Sequence, residues 1–192
     1  MSQEKLVFAT AVEALFVRGL GTRLCPPTRL RLLEAGLDLQ GTLAVSYPLE
    51  QWKTFVHIAA RALYPHLSIS EAHGWMGVHY LGGFLQTSMG QLVGELAPMM
   101  GPERMLERIS QELRGGNNFT EVRLVPLSPR HVELWINDTL CEHPSFVAGF
   151  FLRAQQLAGA RNVYVDVRSV DGTACTFDVR WRDTLIPHAA TG

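Results

Sequence analysis

Apolar residues change their spacing at residues 115–118 of the chain. Before that point they recur every three or four positions, the period of a helix with one buried face. After it they alternate with polar residues, the period of a half-buried strand. The change falls on Gly115-Gly116-Asn117-Asn118, a composition typical of a loop. The pattern therefore predicts helices first and strands second.

The longest apolar stretch runs from Ser70 to Met99 and has no charged residue between Glu71 and Glu95. Ser68 and Glu71 have the spacing of a capping box, which predicts that a helix begins there. Two rows of residues lie on nearly opposite faces of this helix. The large apolar row is Val78, Leu81, Leu85, Leu92 and Leu96, and the small row is Gly83, Thr87, Gly90, Gly94 and Ala97. We predict a long central helix that is buried on both sides and ends at Pro98.

The remaining elements follow from the same two periods. Further helices are predicted at 11–20, 29–34, 49–63, 103–113 and 144–157. Strands are predicted at 120–126, 131–137, 162–170 and 173–181. The second half thus reads ββαββ, which predicts a four-stranded antiparallel sheet with one face covered by helices. The fold class is α+β, in a single domain over 1–192 with a helical part at 11–114, a sheet part at 119–181 and an irregular tail from 182.

Composition excludes several classes of function. The chain has 17 basic and 18 acidic residues, so it lacks the basic excess of a general nucleic-acid-binding protein. The uncharged run Ala72–Gly94 is long enough to cross a membrane, but six glycines and two histidines make it too polar for a lipid-facing helix. The N-terminus has no signal-peptide pattern, and the three cysteines are typical of reduced thiols. We expect a cytoplasmic protein without a membrane span.

No motif for catalysis, nucleotide binding or metal binding stands out. Cys141, His143 and Cys175 could supply three zinc ligands if the strands brought them together. Cys175 lies on the inward face of its strand, where a free thiol packs as a small apolar residue. We therefore expect no metal, no cofactor and no enzymatic activity.

The small row of the central helix allows two interpretations. A glycine within a helix costs about 1 kcal/mol relative to alanine, so Gly83, Gly90 and Gly94 need a reason. One reason is the close approach of a second helix, including that of a second copy in a homodimer. The other is space for a small apolar ligand, which Gln86 and Thr87 could orient. We treat these five residues as candidate ligand or dimer contacts.

Two large aromatic residues, Trp135 and Tyr164, lie on the polar face of the predicted sheet. Aromatic side chains on a solvated face are typical of a surface that binds a protein partner. The alternative is that the C-terminal tail covers them.

Several segments resemble a family of paralogous myxobacterial proteins classed as a domain of unknown function. The resemblance covers residues 11–181. The segments that carry it are Gly83-x-x-x-Thr87-x-x-Gly90, Gly101-Pro102, Asn117-Asn118-Phe119-Thr120 and Asp178-Val-Arg-Trp181. The order of helices followed by ββαββ is similar to haem–nitric-oxide-binding domains, to 4-vinyl-reductase-type ligand domains and to subunits of the TRAPP transport complex.

That resemblance implies binding of haem, of small hydrophobic molecules, of acyl chains or of protein partners. The haem-binding relatives hold the propionates with Tyr-x-Ser-x-Arg, and the nearest match here is Tyr164-Val-Asp166-Val-Arg168, with Asp in place of Ser. His131 and His143 are the histidines upstream of it. The cysteine cluster of 4-vinyl-reductase-type domains is matched only by Cys175 and Cys141.

Two hypotheses of function result. The first is a non-enzymatic cytoplasmic regulatory or scaffold protein that binds a protein partner, as a homodimer. The alternative is a sensor domain that holds a small apolar ligand in a pocket between the central helix and the sheet.

Overall fold

The computed structural model describes residues 4–182 and has a mixed helix and sheet fold. The helices are α1 (Ala9–Val12, continued by a π-helical segment at Glu13–Gly19), α2 (Pro26–Glu34), α3 (Leu49–Leu63), α4 (Ile69–Phe84), α5 (Ser88–Gly115) and α6 (Ser145–Leu157). The strands are β1 (Leu6–Phe8), β2 (Ser46–Pro48), β3 (Val122–Ser128), β4 (His131–Ile136), β5 (Arg161–Asp171) and β6 (Ala174–Arg182). The predicted irregular tail after residue 182 lies outside the described residues.

The second half of the chain forms a four-stranded antiparallel sheet in the order β3-β4-β6-β5, with α6 between β4 and β5. Alternation of side chains buries one face of it, for example at Leu134 and Phe177, which are opposite each other in register. Strands β1 and β2 form a separate antiparallel pair. The α+β class and the ββαββ unit predicted from the sequence are confirmed.

The central stretch differs from the prediction because it forms two helices. As predicted, α4 begins with a capping box, in which the Ser68 hydroxyl accepts the Glu71 N–H and the Glu71 side chain accepts the Ser68 N–H. It ends at Phe84, and α5 begins at Ser88. Thr87 has extended backbone angles, and its hydroxyl accepts the N–H of Gly90 at 3.0 Å. Because Thr87 is thus an N-cap, the two rows predicted on one helix are divided between two. The predicted burial on both sides does not extend through α5, where Leu92 and Leu96 of the large row are exposed.

Helix α5 is itself interrupted at Gly101, where φ is 76° and ψ is 169°. The two halves are the end of the predicted central helix and the helix predicted at 103–113. A positive φ is accessible to glycine at little cost, so Gly101 permits the change of direction.

Helices α4 and α6 cross at very short distance in the middle of the fold. A Cβ atom on Gly77 would overlap the carbonyl oxygen of Phe146, and one on Gly149 would overlap that of Gly74. The glycines therefore allow the two backbones to touch, and α6 fills the space between α4 and the sheet. Within residues 4–182 no helix is both long and apolar enough to cross a membrane.

Candidate functional site

A cleft of about 360 Å³ opens between α1 with the π-helical segment that continues it, the last turns of α4 and both ends of α5. We call it the Tyr80 cleft. Its apolar lining includes Ala11, Ala14, Phe84 and Met89, and its polar groups include Tyr80, Thr87 and Glu112. This volume lies at the lower end of the range for small-molecule pockets.

The wall of the cleft depends on a close contact between α4 and the π-helical segment. A Cβ atom on Gly83 would overlap the carbonyl group of Ala14 and would lie 2.7 Å from the nitrogen of Gly19. Only glycine allows α4 to approach this closely. Single π-helical turns within helices are often found at functional sites.

Tyr80 is held rigidly by aromatic neighbours. Its ring centroid lies 6.0 Å from that of Trp52, 5.8 Å from that of Phe146 and 5.4 Å from that of Phe150. Only 6% of Tyr80 is exposed, and that part lines the cleft. Within residues 4–182 the structure gives its hydroxyl no hydrogen-bond partner. A donor that lacks a protein partner in a residue that lines a cleft is available to a ligand or to water.

Two neighbours define the space and the charge around this hydroxyl. A Cβ atom on Gly116 would lie 2.7 Å from it, so glycine leaves the hydroxyl room. Burial raises the pKa of Tyr80 well above its ordinary value, and the Glu112 carboxylate raises that pKa further. The phenol therefore stays protonated and acts as a hydrogen-bond donor.

Of the five residues predicted as ligand or dimer contacts, only Thr87 lines the Tyr80 cleft. Its hydroxyl already donates to the Phe84 carbonyl at 2.7 Å. The Gln86 amide donates to the carbonyls of Arg18 and Gly82.

The three glycines of that set contact their own chain. Gly83 approaches Ala14, Gly90 approaches the Phe84 carbonyl, and a Cβ atom on Gly94 would lie 3.4 Å from the Leu85 side chain. Close packing within the chain is thus sufficient reason for Gly83 and Gly90. A ligand or dimer contact at these five positions stays a prediction.

The two aromatic residues predicted as a partner surface are separate from each other. Trp135 is paired in register with Thr176, and Tyr164 is paired with Arg180, which places them about 16 Å apart on the outer face. The Arg123 guanidinium lies 4.5 Å from the Trp135 ring centroid, and Tyr164 is 57% exposed. A partner surface here stays a prediction, and cover by the tail falls outside the described residues.

A group of three histidines lies at the other end of α4. The ring centroid of His73 is 5.1 Å from that of His143 and 6.1 Å from that of His57. His73 is 1% exposed, and neither ring nitrogen has a hydrogen-bond partner in the described part of the chain. Burial and, second, His143 lower the pKa of His73 to about 4. No three or more His, Cys, Asp or Glu side chains among residues 4–182 could together hold a metal ion.

The residues between the helices and the sheet do not fit a haem group. Phe146, Phe150 and Phe151 of α6 fill this region and are almost completely buried. His73, the buried histidine with free nitrogens, has other histidine rings on two sides.

The residues that match the haem propionate motif also point elsewhere. Asp166 pairs with Arg180 at 2.7 Å, and Arg168 pairs with Glu133 at 2.5 Å, both on the outer face of the sheet. His131 is on the same face and bonds Asp178 at 3.2 Å. These side chains therefore cannot reach a group held between the helices and the sheet.

The sequence did not point to Tyr80, Glu112 or Gly116. They come from positions far apart in the chain, and only the fold brings them together. One signal was present: Tyr80 is the single tyrosine of the uncharged run Ala72–Gly94. A tyrosine in a buried helix usually needs a partner for its hydroxyl.

Residues 5–182 match the model of a protein family described as "Protein of unknown function (DUF2378)". No curated protein matches the sequence.

The fold is similar to that of solved H-NOX proteins. A mutant of the Fe(II) unliganded H-NOX protein from K. algicida gives a TM-score of 0.64 at 13% identity, over 92% of this chain and 97% of that chain. The S. oneidensis H-NOX protein in the Fe(II)NO state gives a TM-score of 0.59 at 14% identity, over 90% of this chain and 96% of that chain. A mutant of T. tengcongensis H-NOX gives a TM-score of 0.57 at 11% identity, over 92% of this chain and 97% of that chain. Identities this low show a shared fold alone, and the similarity to haem–nitric-oxide-binding domains expected from the sequence is confirmed.

Proposed function

We propose that this chain, which belongs to the DUF2378 family, is a sensor domain that binds a small apolar ligand in the Tyr80 cleft. The observation that carries the proposal is the Tyr80 hydroxyl, which is held rigidly, lacks a protein partner among the described residues and lines a cleft of about 360 Å³. The shared fold supports a small-molecule ligand in general, because H-NOX proteins are described in Fe(II)NO and Fe(II)CO states, but those are states of iron and do not bear on this cleft. The ligand proposed here is not haem, and the cleft lies among α1, α4 and α5, not between the central helix and the sheet as the sequence predicts.

The position of the cleft suits a sensor. Met89 is near the start of α5 and Glu112 is near its end, and both line the cleft. A ligand between them contacts both halves of a helix that is interrupted at Gly101. Binding that favours one angle between the halves shifts the population of conformations toward it. No catalytic group is part of this proposal.

Native mass spectrometry of the purified chain tests it. Gly115 lines the cleft and has open space around its missing side chain, so Gly115→Leu should fill the cleft and leave the fold intact. Gly82 also has open space but does not line the cleft, so Gly82→Leu is the matched control. We expect a retained small molecule in the wild type and in Gly82→Leu, and none in Gly115→Leu. Equal retention in all three would contradict the site.

A second candidate function is binding of a protein partner, including a second copy of the chain. A row of exposed apolar residues on α5 favours it: Met89, Leu92, Leu96 and Met99. Their spacing of three and four places them on one face of the helix, about 100° around the axis from the buried residues Val93 and Ala97. Analytical ultracentrifugation of the wild type and of Leu92→Glu tests the homodimer. If the wild type sediments as a monomer, the homodimer is excluded.

A cytoplasmic location is also part of the proposal. It is supported by three cysteines that are all free.

A further inference from the structure

We infer that the Tyr80 cleft selects uncharged ligands that present a hydrogen-bond acceptor oxygen, as a ketone or an alcohol does, and discriminates against carboxylates. This inference rests on the proposed function. It follows from three features of the cleft: its donor, its charge and its apolar lining.

The donor is the Tyr80 phenol. Stacking of its ring on Phe146 and Phe150 fixes the direction of the hydroxyl, and Gly116 leaves space beside it. A ligand without an acceptor would cover this hydroxyl and leave it unpaired, which opposes binding. An acceptor oxygen on the ligand therefore favours binding in the cleft.

The cleft offers no free cation to a carboxylate. Glu112 is the acidic side chain that lines it, and no Lys, Arg or His does so among the described residues. Arg108, one turn back on α5, pairs with the Glu112 carboxylate at 2.5 Å and donates to the Met89 sulfur at 3.4 Å, so these two charges compensate each other. The C-terminal end of α5 adds partial negative charge. A carboxylate at Tyr80 would therefore lose its hydration without gaining a cationic partner.

The lining beyond the donor is small and apolar. Ala11 and Ala14 leave room, and Phe84 and Met89 supply apolar contact area. This combination suits a short hydrocarbon chain attached to the acceptor.

Isothermal titration calorimetry of the full chain tests the inference with three probes of similar size: 2-octanone, its isostere 2-methyl-1-octene, which lacks the oxygen, and octanoate at pH 8. We expect 2-octanone to bind at least tenfold more tightly than octanoate. We also expect it to bind about three- to tenfold more tightly than the isostere, since a net hydrogen bond has that value. Tyr80→Phe keeps the ring and should abolish the preference for the ketone over the isostere. Gly115→Leu should abolish binding of all three.

Each other outcome overturns the inference. Equal binding of ketone and isostere to the wild type, or tighter binding of octanoate, contradicts the selectivity but leaves the proposed cleft in place if Gly115→Leu still blocks binding. If Tyr80→Phe still prefers the ketone, a donor other than Tyr80 binds the ketone oxygen, and the role given to Tyr80 is wrong. Failure of every probe to bind the wild type, together with no retained molecule in native mass spectrometry, overturns both the selectivity and the proposed function.

Discussion

The imidazole ring of His73 lies 5.1 Å from that of His143, and His73 is buried without a hydrogen bond to either ring nitrogen in the described part of the chain. Burial and the neighbours His143, His57 and Arg61 all disfavour its charged form, and only Glu142 favours it. His73 therefore stays neutral in the folded protein to a pH of about 4.

Acid should destabilise the fold through this residue. The unfolded chain binds a proton at His73 below pH 6.5 and the folded chain only near pH 4, so stability is lost as the pH falls between these values. The loss should reach about 2–3 kcal/mol at pH 4.5. Urea unfolding at pH 7.5 and 4.5 measures it. The pH dependence should be smaller by that amount in His73→Phe and unchanged in a variant of the exposed His66 (His66→Gln). An equal pH dependence in all three proteins would show that His73 is not the cause.

Haem should not bind specifically. Phe146, Phe150 and Phe151 fill the region between the helices and the sheet, and a close-packed interior does not admit a group of this size without unfolding. Titration of the purified protein with haem should give no shifted Soret band that saturates at stoichiometric haem. A saturating band that is lost on replacement of His73 or His143 would contradict this packing argument.

The sequence predicts the elements whose signals are local. Ser68 and Glu71 locate the start of α4, and the alternation of residues 131–136 and 174–181 predicts the buried face of the sheet. The end of α4 was missed because Leu85 and Gln86 fit a helix as well as the residues around them do. The Tyr80 cleft was missed because Ala11, Tyr80 and Glu112 come together only through the packing of α1, α4 and α5.

The division of the central stretch depends on one side chain. The Thr87 hydroxyl accepts the Gly90 N–H and donates to the Phe84 carbonyl, so it caps one helix and closes the turn after the other. Thr87→Ala should cost about 1 kcal/mol in the free energy of unfolding, whereas Thr87→Ser keeps the hydroxyl and should cost little. Chemical denaturation of both variants measures the difference. Equal stability of the two would mean that water replaces the cap at no cost.

The same substitution at two glycines of α4 should change the free energy of unfolding in opposite directions. A Cβ atom on Gly77 overlaps the backbone of α6, whereas one on Gly82 meets nothing within 4 Å. Gly77→Ala must therefore move α6 away from α4, and we expect a loss of about 1–3 kcal/mol. Gly82→Ala adds only helix propensity, with an expected gain of about 0.5–1 kcal/mol. Both substitutions add one methyl group to the same helix, so the contribution of helix propensity cancels in the comparison. The difference between the two unfolding free energies therefore measures the contact between α4 and α6. A gain at both positions would show that the two helices do not touch in solution.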